Sequence, residues 1–264
     1  MCSLAAACAT LTAGLVHAQD ACQPLYLVFA AGDMHSARQI APVLQRAQVK
    51  ATFFAGNSPT EEGDSVLSRQ WGEWWRQIAN DGHALAVQPW DLPLLRGDLP
   101  PKRGGGFRVK VQAGVLAGRD FTWDGDKYCK ALKEATEWMS FYGGRDALPL
   151  FHAPGGVMTP KLEKVTRACG YAHVSWPAHF IAGDGTSGEE ALRRAFAGEN
   201  VQPGAILLAH MGAWGGQSDE EVVTAFGQLL DGLKERGYCF KTLDEHPDYQ
   251  QWVKQHAPAP KAKE

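Results

Sequence analysis

Leu25-Tyr26-Leu27-Val28-Phe29-Ala30-Ala31-Gly32 is a short apolar run that ends at a glycine. Its length and its lack of polar residues read as a buried strand. Immediately after it, Ile40, Val43, Leu44 and Ala47 recur at helical spacing, and Ala51 to Ala55 makes a second strand. Trp71, Trp74, Trp75 and Ile78 share the face of a second helix, closed by Asn80-Asp81-Gly82, and Ala84 to Val87 is a third strand. Strands alternating with helices in this way imply a parallel sheet or barrel.

Outward from that unit the pattern continues to residue 243. Arg96 to Gly106, rich in Pro, Gly and charge, reads as an exposed loop. Lys127 to Phe141 is a helix by the spacing of Leu132, Ala135, Trp138 and Met139, and Leu148 to Phe151 is a strand stopped by Ala153-Pro154-Gly155-Gly156. Thr159-Pro160 starts a helix that Gly170 ends, followed by a strand over Ala172 to Trp176 and a helix over Glu189 to Ala197. Ala205 to Ala209 is a strongly apolar strand ending at His210. Glu220 to Arg236 is an amphipathic helix and Tyr238 to Leu243 the last strand. No internal repeat interrupts this order.

The chain has 264 residues, which suits one large α/β domain. With 45% hydrophobic and 21% charged residues it has enough apolar mass for a sizeable core, which excludes wholesale disorder. A net charge of -3 without a long basic run argues against a nucleic-acid partner. Residues 1–18 read as a signal peptide. Their apolar stretch ends in Val16-His17-Ala18, whose small residues suit cleavage before Gln19, although Met1-Cys2-Ser3 carries no Lys or Arg. The competing reading is a buried N-terminal helix. Export implies a periplasmic or secreted protein. No other stretch approaches the ~18 apolar residues of a membrane span. Cleavage would leave Cys22, Cys129, Cys169 and Cys239, which permit two disulfides in an oxidising compartment, with all three pairings open. Residues 19–247 then form the folded domain and 248–264 a flexible C-terminal tail.

Several segments resemble, in order, the polysaccharide deacetylase family (NodB homology, carbohydrate esterase 4). Val49-Lys50-Ala51-Thr52-Phe53-Phe54 is similar to its second strand and Asp81-Gly82-His83 to the entry of its third. Gly204 to His210 is similar to its late strand ending in L-x-H, and Leu233 to Glu245 to its closing helix and strand. The resemblance spans residues 25–245 and implies an α/β fold: a distorted, TIM-like (β/α)7 barrel with its site at the strand C-terminal ends. It also implies metal-assisted deacetylation of polysaccharides. One Asp and two His hold the metal, the two His four residues apart and so on one helical face; a second Asp is the base and a further His the acid.

This sequence departs from that chemistry. The family's T-F-D-D-G appears as Val28-Phe29-Ala30-Ala31-Gly32, so Ala30 stands at the base position and Ala31 at the metal carboxylate. Its H-T-x-x-H appears as Gln88-Pro89-Trp90-Asp91-Leu92, putting Gln88 and Leu92 where imidazoles belong. The Arg of R-x-P-x-G is His152, and Trp176-Pro177-Ala178-His179 offers no matching carboxylate. His210 alone keeps its place, at the acid position. Methyl and isobutyl groups have no lone pair, and Gln is a poor ligand beside imidazole. The reading is therefore a pseudoenzyme that needs neither metal nor another cofactor. Its expected partner is a polysaccharide or peptidoglycan-type glycan, or an envelope protein. Trp90, His152, Trp176, His210 and Trp214 are the candidate binding residues, since indole faces stack on sugar rings. Two other readings stay open. One is an active hydrolase of acetyl esters or amides with a rebuilt site among Asp33, His35, His152, Asp184 and His210. The other is a scaffold acting through an exposed tryptophan face around Trp71, Trp74 and Trp75, although their spacing favours one buried helical stripe.

Overall fold

The computed structural model describes residues 22–175, 201–212 and 218–258. Strand β1 (Gln23–Ala30) is followed by α1 (Ala37–Ala47), β2 (Thr52–Ala55), α2 (Gly72–Asn80) and β3 (Ala84–Val87). A three-stranded excursion comes next, β4 (Pro93–Asp98), β5 (Phe107–Val111) and β6 (Asp120–Trp123), then α3 (Gly125–Gly143). The barrel resumes with β7 (Leu150–Phe151), α4 (Pro160–Ala168), β8 (Ala172–His173) and β9 (Ile206–His210). It ends with α5 (Asp219–Glu235), β10 (Tyr238–Lys241) and α6 (Gln250–His256). Strands run β10-β1-β2-β3-β7-β8, with β9 also on β1, and every pairing in this sheet is parallel. The curled parallel sheet with its helices is the expected (β/α)7-like barrel.

Alternation along β1 sorts the core into two layers. Leu25, Leu27 and Phe29 face the helices, in one cluster with Ile40, Val43 and Leu44 of α1 and Phe226, Leu229 and Leu230 of α5. Tyr26, Val28 and Ala30 face the barrel interior with Phe54, Ala86, Leu150, Ala172, Ile206 and Leu208. Both faces of the strand are buried, so its sequence is continuously apolar instead of alternating. Trp75 is fully buried, Trp71 nearly so, and Trp74 packs on the core. Their indole N–H groups donate to the Val66 carbonyl, Asp64 and the Ala37 carbonyl respectively. The tryptophan stripe is thus an internal packing face, and the scaffold reading loses its surface.

Three sequence expectations need correction. The proposed loop over residues 96–106 begins as β4, which pairs with β5 antiparallel, and only residues 99–106 form a connection. That connection is pinned by Lys161, whose ammonium donates to the carbonyls of Leu99, Gly105 and Gly106. Gly106 is required there: a Cβ would stand 2.3 Å from the Trp123 carbonyl oxygen. The composition signal of Pro and Gly was real but belonged to the turn and not to the flanking strand. Secondly, the tail does not begin at residue 248. Residues 250–256 are helical, Val253 is buried in the interior cluster, and the Trp252 indole donates to the Pro149 carbonyl. The apolar residues Tyr249, Trp252 and Val253 outweigh the polar composition around them. Thirdly, of the strand expected over residues 172–176, the described part, residues 172–175, is regular only for Ala172–His173. The helix expected over residues 189–197 lies outside the described residues.

The cysteines pair as Cys22–Cys239 and Cys129–Cys169. The first ties the start of β1 to the neighbouring β10, residues 217 apart in sequence. The second ties α3 to α4. Such cross-links each typically contribute roughly 2–4 kcal/mol by restricting the unfolded chain.

His83 sits at the base of β3, 1% exposed, and its Nδ1 accepts the Ala51 N–H at 3.1 Å. Burial, reinforced by the nearby Lys50 ammonium, pushes its pKa down from the ordinary 6.5 to about 4. Above pH 6.5 the imidazole is neutral whether the chain is folded or not. Between these values the unfolded chain takes up a proton that the native state refuses, so stability falls as pH falls. The displacement corresponds to roughly 3 kcal/mol, fully developed below the lower pKa. Urea midpoints measured between pH 7 and 4 should decline, and His83→Gln should flatten part of that decline while lowering stability at neutral pH.

Candidate functional site

The parallel register builds the barrel mouth layer by layer. Ala30 is the register partner of His210 on one side and of Phe54 on the other; Phe54 partners Ala86 in turn. Ala30 and His210 end their strands, Phe54 and Ala86 stand one residue before the ends of theirs, and His210 is the polar one among the four. Ala30 is 6% exposed and Ala31 1%, so both positions are closed over by packing. Their backbones are also committed: the Ala31 N–H donates to the Phe54 carbonyl and the Ala30 carbonyl accepts from Met211. Where a base and a metal carboxylate are implied by the resemblance, the site presents two buried methyl groups.

Gln88 to Leu92 do not form the helical turn that a four-residue ligand spacing presupposes. The Leu92 N–H donates to the Pro89 carbonyl, and Asp91 and Leu92 have φ of 62° and 47°. Both are therefore in the left-handed region, which costs a branched side chain of this kind about 1 kcal/mol or more. The strain is held by a clasp that sequence reading missed. Asn57, 8% exposed at the end of β2, donates from Nδ2 to Asp91 Oδ1 at 2.6 Å, and its Oδ1 accepts the Asp91 N–H at 2.5 Å. The Asp91 carbonyl accepts from Gln112 and Ala113, so the β5–β6 hairpin is tied to the same point. Gly114 fits this junction because a Cβ would lie 2.3 Å from Asp91 Oδ1. Nothing in the local sequence distinguishes Asn57 or Asp91 from ordinary turn residues.

His152 follows β7 and is 6% exposed. Its ring is 2.9 Å through Nδ1 from the Val174 carbonyl, which accepts, and it stacks on His173 at 5.4 Å between centroids. Burial lowers its pKa to about 3, with His173 and His210 adding to the depression against the opposing effect of the carbonyl bond. His173 is likewise pushed down to about 4 by burial, with Glu163 opposing. His152 is therefore neutral at physiological pH and its Nδ1 proton is occupied, which leaves the second ring nitrogen as an acceptor.

The other candidates disperse. Trp90 lies on the outer face of the barrel: its backbone N–H donates to the Ala131 carbonyl of α3, and its ring runs beside Trp138 at 6.3 Å with 26° between planes. It packs against the helix layer, and these contacts hold it away from the mouth. Asp33 accepts the His35 N–H at 3.0 Å, and the exposed His35 ring is bonded to Glu61 at 2.6 Å. These are interactions within the β1 and β2 loops. Trp176, Asp184 and Trp214 lie outside the described residues.

The donor chemistry can be judged directly. Ala31, Gln88 and Leu92 cannot make the ligand set of one carboxylate and two imidazoles that the resemblance implies. Among the described residues, no three His, Cys, Asp or Glu side chains converge to hold a metal ion. The residues present do not fit the metal, and no chemical step can be routed through it.

A curled parallel sheet with helices outside, a mouth at its strand C-termini and a late strand ending in histidine define a (β/α)-barrel of the carbohydrate-esterase type. Residues 17–174 match the profile of the polysaccharide deacetylase family, and the chain belongs to it. A peptidoglycan-N-acetylglucosamine deacetylase of Bacillus cereus is 32% identical over 97 residues, covering 36% of this chain and 44% of the relative. Among solved structures, Bacillus subtilis PdaA, a family 4 carbohydrate esterase, is similar with a TM-score of 0.62 and 19% identity, covering 86% of this chain and 82% of the other. A family 4 carbohydrate esterase pseudoenzyme from Bacillus anthracis is similar to the same degree, with a TM-score of 0.62 and 16% identity over 86% of this chain and 66% of the other. At these identities the structural likenesses establish the fold.

The clasp makes a measurable demand. Asn57→Ala and Asp91→Ala should each lower stability by roughly 1–3 kcal/mol, because each leaves a half-buried partner unsatisfied. In a double-mutant cycle read by urea denaturation the two losses should be strongly non-additive; additivity would mean that the two side chains act independently.

Proposed function

We propose that this protein is an exported, non-catalytic member of the polysaccharide deacetylase family whose barrel mouth binds a glycan of the peptidoglycan or polysaccharide type. The observation that carries the proposal is the Ala30–His210 pair. The acid position is kept on β9, and its register partner on β1, where the base belongs, is a buried alanine. An acid with no base and no activated water cannot complete hydrolysis of an acetyl group. A positioned base alone is worth ~10²–10⁴-fold in rate. The described strand residues around that pair, Val28, Phe54, Ala86 and Leu208, are buried, so the substitution at position 30 leaves the sheet intact. That this fold accommodates such loss is supported by its likeness to a solved pseudoenzyme. Export is supported by the apolar N-terminal stretch and by two disulfides, which persist in oxidising compartments. His152 and His210 suit binding, since a neutral imidazole both donates and accepts hydrogen bonds.

Chitin oligomers, acetylxylan and peptidoglycan fragments should release no acetate above blank with purified mature protein, and metal content by mass spectrometry should be substoichiometric. Acetate release that disappears in His210→Ala would sink the proposal and favour an active site rebuilt around His152 and His210.

For the binding role, N-acetylglucosamine oligomers and peptidoglycan fragments titrated by calorimetry should bind, and His210→Ala should weaken binding by roughly 1–2 kcal/mol, the usual scale of one lost hydrogen bond in a partly buried site. Binding unchanged in that variant places the glycan elsewhere. Absence of binding to any of these glycans makes a protein partner the better reading.

A further inference from the structure

The connection between β5 and β6 breaks the rule that loop tips are polar. Its sequence is Gln112-Ala113-Gly114-Val115-Leu116-Ala117-Gly118-Arg119. Val115 is 101% exposed and Leu116 40%, so the tip presents branched apolar side chains to solvent. The tip is also held in shape. The Ala117 N–H donates to Gly114, Arg119 to Leu116 and Gly118 to Val111, while Gly114 and Gly118 both have positive φ. The Asp91 carbonyl anchors the near end of the loop to the rim of the barrel. Val115 and Leu116 are thus held outward on a braced arch.

Below the tip, the solvent face of this small sheet is cationic. Along β5, Arg108 and Lys110 alternate with the buried Phe107, Val109 and Val111, so both basic side chains share the outer face. Exposed Arg96 on β4 and exposed Arg119 at the loop end add to it. Two acids belong to this sheet, and one of them, Asp120, stands among the bases on the outer face beside Arg96 and Arg108. Asp120 is the register partner of Lys110, and Asp98, at the far end of β4, accepts a hydrogen bond from Thr159. The chain as a whole carries a net charge of -3, so the concentration of positive charge here is local.

We propose that the β5–β6 hairpin is a peripheral docking device for an anionic lipid bilayer, with Val115 and Leu116 entering the acyl boundary and Arg96, Arg108, Lys110 and Arg119 meeting the headgroups. The two halves of the motif require different properties of one partner. An anionic surface satisfies the collar, and only an apolar phase offers anything to a fully exposed valine beside a leucine. Successive residues along a strand advance ~3.3 Å, so Lys110 stands ~7 Å nearer the tip than Arg108 and would meet the headgroups first as the tip enters the acyl boundary. Attachment through one apolar tip and a basic collar is reversible. Because Asp91 ties the hairpin to the rim, docking would bring the barrel mouth close to the bilayer surface. The inference rests on the hairpin alone and is independent of whether the mouth retains chemistry.

The test is co-sedimentation of the mature protein with vesicles of phosphatidylcholine alone or mixed with phosphatidylglycerol. Binding is expected to the mixed vesicles and to fall with added salt. The double variant Val115→Asp with Leu116→Asp should reduce it by roughly tenfold or more, given the apolar area withdrawn from the bilayer. Arg108→Glu should reduce it about fivefold or more, the usual effect of one basic residue at an anionic surface. Val115 and Leu116 touch solvent, so near-UV circular dichroism and the thermal midpoint should stay unchanged in that variant. Failure of the wild type to sediment with mixed vesicles, or equal sedimentation of the aspartate variant, overturns the proposal. So does equally strong binding of wild type and aspartate variant to soluble dextran sulfate accompanied by no preference for vesicles, which would assign the collar to an anionic polymer.

Discussion

Strand β1 must be buried on both faces and paired on both edges at once. One edge hydrogen-bonds to β9; the other hydrogen-bonds to β10 along its first half and to β2 along its second. Eight residues therefore set the register of three neighbours, and a polar side chain anywhere between Leu25 and Phe29 would be stranded in one apolar layer or the other. The disulfide from Cys22 to Cys239 reinforces the same junction from below. The end of the strand decides the character of the mouth, because Ala30 and His210 are brought side by side by this register and by nothing else.

That arrangement separates the integrity of the barrel from its chemistry. Replacing a carboxylate at the strand end by a methyl removes a costly buried charge, so the sheet tolerates the loss easily. Losing the imidazoles at positions 88 and 92 likewise leaves no strained gap: Leu92 lies against Gly56, where a Cβ would meet its Cδ2 at 3.0 Å. The turn around it is then free to adopt left-handed geometry, and the Asn57–Asp91 clasp fixes it. Ala30 and Ala31 are buried at the same end of the barrel. Burial of His152 follows the same direction, since it holds the ring neutral.

The excursion between β3 and α3 adds a second surface beside the mouth. Its inner face, with Leu95, Phe107, Val109, Val111 and Trp123, joins the main core, and its outer face carries charge. Lys161 and Asp91 brace its two ends from α4 and from the β3 turn respectively. A sheet tied at both ends can present its connecting loop in a defined direction, which a free loop of the same sequence could not do.

By itself the sequence determined the parallel barrel, because two-sided burial writes a continuous apolar run and helices write a stripe; the β1, β2, β3 and β9 segments were all readable in this way. The residues Ala30, Ala31, Gln88 and Leu92, on which the comparison with the family's motifs turns, are likewise identities that need no coordinates. Only the tertiary structure decided which cysteines pair, because four thiols are compatible with three pairings until the strands and helices that carry them are placed. It alone decided that Trp90 faces outward, that residues 250–256 pack as a helix, and that Asn57 clasps Asp91. Each of these depends on contacts between residues far apart in the chain, as with the 34-residue separation of Asn57 and Asp91. Local composition records the conformation a segment prefers; the partner that overrides or exploits that preference is supplied by the fold.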